Sequence, residues 1–428
     1  MSSDRIASMM EKMTQSTVFG DLLNPVEQAL ERVRFSDAIF TSIGMMDFIA
    51  LGVLRHIRSM KVMRELIQYL LHHEEALQTP VARSTYSDAL SSVHRRKVLR
   101  DLRDPLLTLA GKALPDRLAE LPELEQRPVF AMDGTYQKES AHFRKCTPKQ
   151  GGKDSPKGHS LLSFYDVRLG CPCDVHVSTS SEHELAVLRD YDEDRTALTR
   201  EKNALWLVDR GFIDAKYWDK KKRSDKITMI TRLKASLIYE PVEELEFTNS
   251  DINEGVRSDQ KIMLNSSGRP WRLITFCTRR NNVVEFLSND FKLAPGLIAF
   301  LYSRRWEEEK CFDTWKNDFA QAKAWGKSVK SIENQVRLAI ITSILIAMLV
   351  YNKTGKDGTV DEKSIDKQLQ RQDSLTDGTD RPDWSLSIFR FTTKISRQVL
   401  RFLKQCLFKI SSARLYNTQL RPLLMNYL

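Results

Sequence analysis

Three stretches of this sequence carry acidic side chains at places where a fold can put them to chemical use. Asp133 follows an apolar run, VFAM, and precedes Gly134 and Thr135. Asp209 follows another, ALWLV, and precedes Arg210 and Gly211. A carboxylate at the carboxyl end of a buried strand stands where an α/β sheet presents its chemistry. Taken singly, each also fits an ordinary turn, because Asp-Gly and Asp-Arg-Gly are common turn formers. The third stretch, residues 301–316, reads as a helix. Tyr302, Arg305, Glu309 and Lys316 follow at intervals of three, four and seven, and at about 100° per residue they share an arc of about 60°. Glu308 lies about 100° from Glu309, and Glu307 further still, so this geometry selects Glu309 from three consecutive glutamates. The plain alternative is an amphipathic helix with an ordinary Arg305–Glu309 pair. It does not account for a Tyr, an Arg, a Glu and a Lys on one face with Leu301, Phe312 and Trp315 around them.

The elements that must position these residues follow from hydrophobic period. Residues 1 to about 120 read as all-helical, with apolar positions at helical spacing through 39–71. Ser84 is an expected N-cap, and the helix it starts runs into His94, Arg95, Arg96 and Lys97. A helix-turn-helix-like segment on DNA and a solvated charged face are equally good readings there. From residue 128 the period is two. Strands are expected at 128–136, 159–169, 174–179, 204–208 and 227–233, with helices at about 182–202 and 215–222. A polar loop, 145–158, and the turn Gly170-Cys171-Pro172-Cys173 separate the first three strands. Three strands, a helix, a strand, a helix and a strand is the order of a ribonuclease-H-like core.

The expected fold is therefore α/β, with helical N-terminal and C-terminal regions around that core. Its boundaries are a helical region at 1–120, a first core part at 121–234, a β-rich insertion at 235–290 and a second core part at 291–352. A flexible linker, 353–384, and a basic helical region, 385–428, complete it. Strands within the insertion are expected at 242–247, 261–264, 271–278 and 283–287, and two long helices at 294–320 and 331–351.

Composition narrows the partners. Sixty-six Lys and Arg against 56 Asp and Glu leave a charge of +10, which favours a polyanion. Residues 1–12 are polar and do not read as a signal peptide. The longest apolar run, 338–351, is shorter than the ~20 residues of a bilayer span and reads as a core helix. Cys171-Pro-Cys173 lacks the second pair of a structural zinc site. His159 reads as structural, and His72-His73 has no acid or cysteine set to make a metal centre.

Tyr302-x2-Arg305-x3-Glu309-x6-Lys316 fits, without a gap, the Y-x2-R-x3-E-x6-K signature of DDE transposases of the insertion-sequence-4 family. The chain resembles that family over about residues 80–352, and the two aspartate contexts and the insertion agree with it. Some members carry a further lysine one turn after the glutamate, where this chain has Asp313. The resemblance implies that Asp133, Asp209 and Glu309 are catalytic and hold two Mg²⁺ ions ~4 Å apart, with Mn²⁺ able to substitute. Asp133 would bridge both ions, and Asp209 and Glu309 would each hold one. A nick at the transposon end frees a 3′-hydroxyl, which forms a hairpin and later joins target DNA. Arg305 and Lys316 would grip phosphates, and Tyr302 would hydrogen-bond one near the cut. Trp306 and Trp271 are the candidates to stack on a flipped base. The implied partners are double-stranded DNA, as terminal inverted repeats and target, and a second copy of the chain; no membrane is implied. The implied location is a bacterial or archaeal cytoplasm, beside the nucleoid. The alternatives are a catalytically silent DNA-binding derivative or inhibitor, and a metal nuclease that cuts without joining.

Overall fold

The computed structural model describes residues 17–72, 81–125, 127–138, 158–178, 182–194, 196–278, 281–321 and 323–355. The expected polar loop up to residue 157, the linker and the basic C-terminal region lie outside the described residues. Nine strands form one mixed sheet: β1 Val129–Lys138, β2 Gly158–Asp166, β3 Cys171–Val177, β4 Leu205–Val208, β5 Thr228–Arg232, β6 Tyr239–Glu244, β7 Val256–Leu264, β8 Pro270–Cys277 and β9 Val283–Ser288. Their spatial order is β3-β2-β1-β4-β5-β9-β8-β7-β6. β4 runs parallel to β1 and β5 parallel to β4, whereas β2 and β3 are antiparallel neighbours on the other side. β9 pairs antiparallel with β5, so the β-rich segment continues the same sheet.

Near-continuous apolar runs mark strands buried on both faces. In β1, Phe130 and Met132 face one layer, made by α7 (Glu184–Glu193) and α8 (Ala215–Asp225), together with Trp206, Trp218 and Trp271. Val129 and Ala131 face the other, made by α9 (Pro295–Ser303). β3 starts at Cys171, so Cys-Pro-Cys belongs to the strand and not to the preceding turn. Proline fits there because β3 is an edge strand, where a missing N–H costs no ladder bond.

Six helices precede the sheet: α1 Thr17–Leu30, α2 Met45–Ile57, α3 Met63–His72, α4 Arg83–Leu90, α5 Val93–Asp101 and α6 Arg103–Ala113. Ser84 lies inside α4, whose N-cap is Ala82; the side-chain cap falls one helix later, where the Ser92 hydroxyl accepts from Arg95 N–H. Two of the four basic residues in that stretch turn inwards. Arg95 is buried and donates to backbone carbonyls of Ile43 and Gly44, and Arg96 pairs with Glu333; His94 and Lys97 are exposed.

The last described helix, α11 Val329–Gly355, packs against α2 and β3. By length and composition residues 329–352 could cross a membrane, but 83% of the most apolar window is buried within the fold. An ionic network fastens α11 and the first helices to the sheet. Arg337 reaches Asp174 on β3 at 2.9 Å and Glu333 at 3.0 Å, Arg103 reaches Asp174 at 2.6 Å, and Arg100 reaches Glu333 at 2.7 Å. Burial opposes the charge on Asp174, yet Arg337 and Arg103 hold its carboxyl below the usual range.

Removing one partner from a buried network leaves uncompensated charge. Arg337→Ala should therefore cost about 3–5 kcal/mol in urea unfolding. Asp47, in the first turn of α2, is pushed up to about 6 by burial and by Asp37. A carboxyl raised in the folded state is least costly below its unfolded value, and the cost grows as pH rises through the folded one. Asp47→Asn should match the parent at pH 4 and exceed its stability by about 2 kcal/mol at pH 7.5; equal stability at both pH values would contradict this.

Candidate active site

The site is built by strand register. β1 and β4 pair in parallel with Met132 opposite Val208, so the next residues, Asp133 and Asp209, emerge side by side. β4 ends there, while β1 continues to Lys138 against β2. Asp133 is thus mid-strand and not at a strand end. Asp209 begins a single 3₁₀ turn, Arg210–Phe212.

The third acid comes from a helix that is broken where continuity was expected. α9 stops at Ser303, Arg304 and Arg305 form a turn, and α10 runs Trp306–Asp313 before a π-turn at Thr314–Asp318. The break drives Arg305 under the acids. Its Nη1 donates to Asp133 Oδ2 at 3.1 Å and its Nη2 to Glu309 Oε1 at 2.8 Å. One guanidinium, 8% exposed, thereby joins Asp133 to Glu309. Asp133 also accepts the Gly134 N–H at 2.8 Å. Burial pushes Asp133 up to about 6, with Arg305 and the Gly134 N–H pulling the other way. Burial works against the charge on Arg305, but Tyr302, Asp133, Glu309 and Asp209 together hold its pKa above the ordinary value.

The remaining residues divide. Tyr302 is 4% exposed, packed on Phe286 with ring centroids 5.3 Å apart, and its ring lies 5.7 Å from the Arg305 guanidinium. Lys316 is exposed on the π-turn, with Nζ 5.7 Å from the Phe312 ring centroid, and makes no described contact with the acids. Trp271 is fully buried in the core, its indole N–H donating to Ser267 Oγ at 2.9 Å, and so presents no face to a base here. The Trp306 side chain lies outside the described residues.

Two acids at the site escaped the sequence reading. Glu308 is completely buried beside Ser163 and Asp133, and burial raises its carboxyl well above the usual range. Glu184, at the start of α7, lies with its carboxylate between Gly134 and Gly211; burial and then Asp209 raise its pKa. The traces of Glu184 in the sequence were those two glycines, read as turn residues. Neither has a positive φ; they supply room.

An all-oxygen donor set suits a hard divalent cation. Among the described residues no three acid, histidine or cysteine side chains already form a metal cage. Arg305 explains this, since its guanidinium takes the place of a cation between Asp133 and Glu309. Arg305→Ala should lower the melting temperature of metal-free protein by several degrees, roughly 2–4 kcal/mol. Millimolar Mn²⁺ should restore most of that loss. A variant melting like the parent without metal would contradict the bridging role.

A family model described as a transposase DDE domain matches residues 124–345, just over half of the 428-residue chain, and spans both aspartates and the broken helix. No curated protein matches the chain. Among solved structures it is similar to the piggyBac transposase in its cryo-EM synaptic complex with hairpin DNA. That likeness has 11% identity and a TM-score of 0.41 over 96% of this chain and 82% of the other, which is too low to argue from. The match to the family model alone assigns the family: the chain belongs to the DDE transposases.

Proposed function

We propose that this DDE transposase is of the insertion-sequence-4 type and performs cut-and-paste transposition, with Asp133, Asp209 and Glu309 as its catalytic carboxylates. The observation that carries this reading is the β1–β4 register, which sets Asp133 beside Asp209, with Arg305 linking Asp133 to Glu309. The order β3-β2-β1-β4-β5, with β4 and β5 parallel to β1, supports a ribonuclease-H-like core. The proposed divisions remain a helical region to 120, core parts at 121–234 and 291–352, the β-rich insertion at 235–290, and the linker and basic region beyond.

Divalent ions, Mg²⁺ or in its place Mn²⁺, supply Lewis acidity at a phosphoryl oxygen. The three carboxylates hold them. Arg305, once freed from Asp133 and Glu309, offers a planar fork to a DNA phosphate. Tyr302 would donate to a phosphate from beside it, and the exposed Lys316 would meet the backbone further along. The substrates in this reading are the element's terminal repeats and a target duplex, handled by two copies of the chain through nicking, hairpin formation and strand transfer.

Incubating the protein with end-sequence DNA and Mg²⁺ tests the reading. The parent should yield nicks, hairpins and strand-transfer products. Asp133→Asn, Asp209→Asn and Glu309→Gln should each lose cleavage by at least about a hundredfold while still binding DNA. Glu308→Gln, which replaces an acid already held neutral, should stay within about tenfold. Binding without cleavage by the parent would indicate a silent derivative, and nicks never joined would indicate a nuclease.

A further inference from the structure

Glu184 occupies the first position of α7, where an acid is ordinarily explained by the helix dipole. Its surroundings argue for more. The α7 end is already served by His183, whose Nδ1 accepts from Leu185 N–H and whose carbonyl accepts from Ala186 and Val187. The Glu184 carboxylate instead lies between the residues that follow the two aspartates. A Cβ at residue 134 would stand 2.6 Å from its Oε1, and one at residue 211 would overlap its Oε2. Alanine at either position would therefore evict the carboxylate. Both glycines keep open the space that brings a third acid to Asp133 and Asp209.

Two further observations point to a ligand at this place. Glu308, fully buried on the other side of Asp133, has neither carboxyl oxygen in a hydrogen bond of normal geometry. A cavity of about 430 Å³ opens beside the cluster, lined by Gly134, Thr135, Tyr136, His183 and Glu184 among others. Glu184 thus stands on the wall between solvent-accessible space and the two aspartates.

We propose that Glu184 is a fourth carboxylate of the catalytic centre, holding a divalent cation together with Asp133 and Asp209. This rests on the function proposed above, and it adds a ligand that the Asp-Asp-Glu set does not contain. Glutamine at 184 keeps the shape that fills the glycine cradle and removes only the charge.

Mn²⁺ binding to the full chain without DNA, followed by calorimetry and by the paramagnetic resonance of the free ion, tests the assignment. Glu184→Gln should weaken Mn²⁺ at least tenfold, while its metal-free melting temperature stays equal to the parent's or rises. Glu184→Ala should show the same loss of affinity, which covers the case of a poorly folding Glu184→Gln. Asp133→Asn is the reference. If Asp133→Asn loses Mn²⁺ but both Glu184 variants keep parental affinity, Glu184 is structural and this proposal alone is overturned. If Asp133→Asn also keeps parental affinity, the metal site itself is wrong and the proposed function falls with it.

Discussion

Carboxylates gathered at one place repel one another, and the cost grows as water is excluded. Two unit charges roughly 5 Å apart at an effective dielectric near 20 interact by about 3 kcal/mol. The Arg305 guanidinium, donating to Asp133 and to Glu309, is what lets acids from distant parts of the chain share a partly buried position. Its location depends on the break between α9 and α10. An unbroken helix would carry Arg305 along a straight face. The turn at Arg304 and Arg305 instead lets α9 pack on the sheet through Phe300, Leu301 and Tyr302, while α10 delivers Glu309 to the acids.

The rest of the molecule holds the strands still. Asp133 and Asp209 stay adjacent only while β1 and β4 keep register, and a slip of one residue would turn one of them to the opposite face. Apolar side chains alternating into layers on both faces of β1 and β4 fix that register. β9 covers the outer edge of β5 and carries the sheet into four further strands. At the other edge β3 is tied through Asp174 to Arg337 on α11 and Arg103 on α6. The basic residues of the first helices therefore serve the fold as well as the surface.

How much of this was legible in the sequence depended on the range of the signal. The order of strands and helices from β1 to β5 followed from apolar runs and their breaks, because burial on both faces leaves a local mark. The selection of Glu309 followed from helical spacing and survives the helix break, since Arg305 to Glu309 spans α10 alone. The break itself was not legible, as Ser303-Arg304-Arg305 contains neither Gly nor Pro. Glu184 was invisible because its partners are 50 and 27 residues away, at Gly134 and Gly211. Trp271 shows the opposite error. Its residue type suggested a stacking platform, but burial is a property of the whole fold, and Trp271 closes the core with Trp206 and Trp218.

Counting charge at the centre shows what the arrangement still lacks. Asp133, Asp209, Glu184 and Glu309 are four carboxylates around one guanidinium, so three negative charges remain when all are ionised. The protein has two internal means of limiting this. Burial keeps Glu308 protonated, and it pushes Asp133 up to about 6. Neither removes the excess at neutral pH. A core built only for stability would replace such a group with apolar packing, which is often the more stable choice. Acids concentrated beyond what their own partners neutralise, on strands locked by distant contacts, are electrostatically complementary to cations from outside. The same preference for positive charge that seats Arg305 between Asp133 and Glu309 is the preference a divalent ion would satisfy more fully.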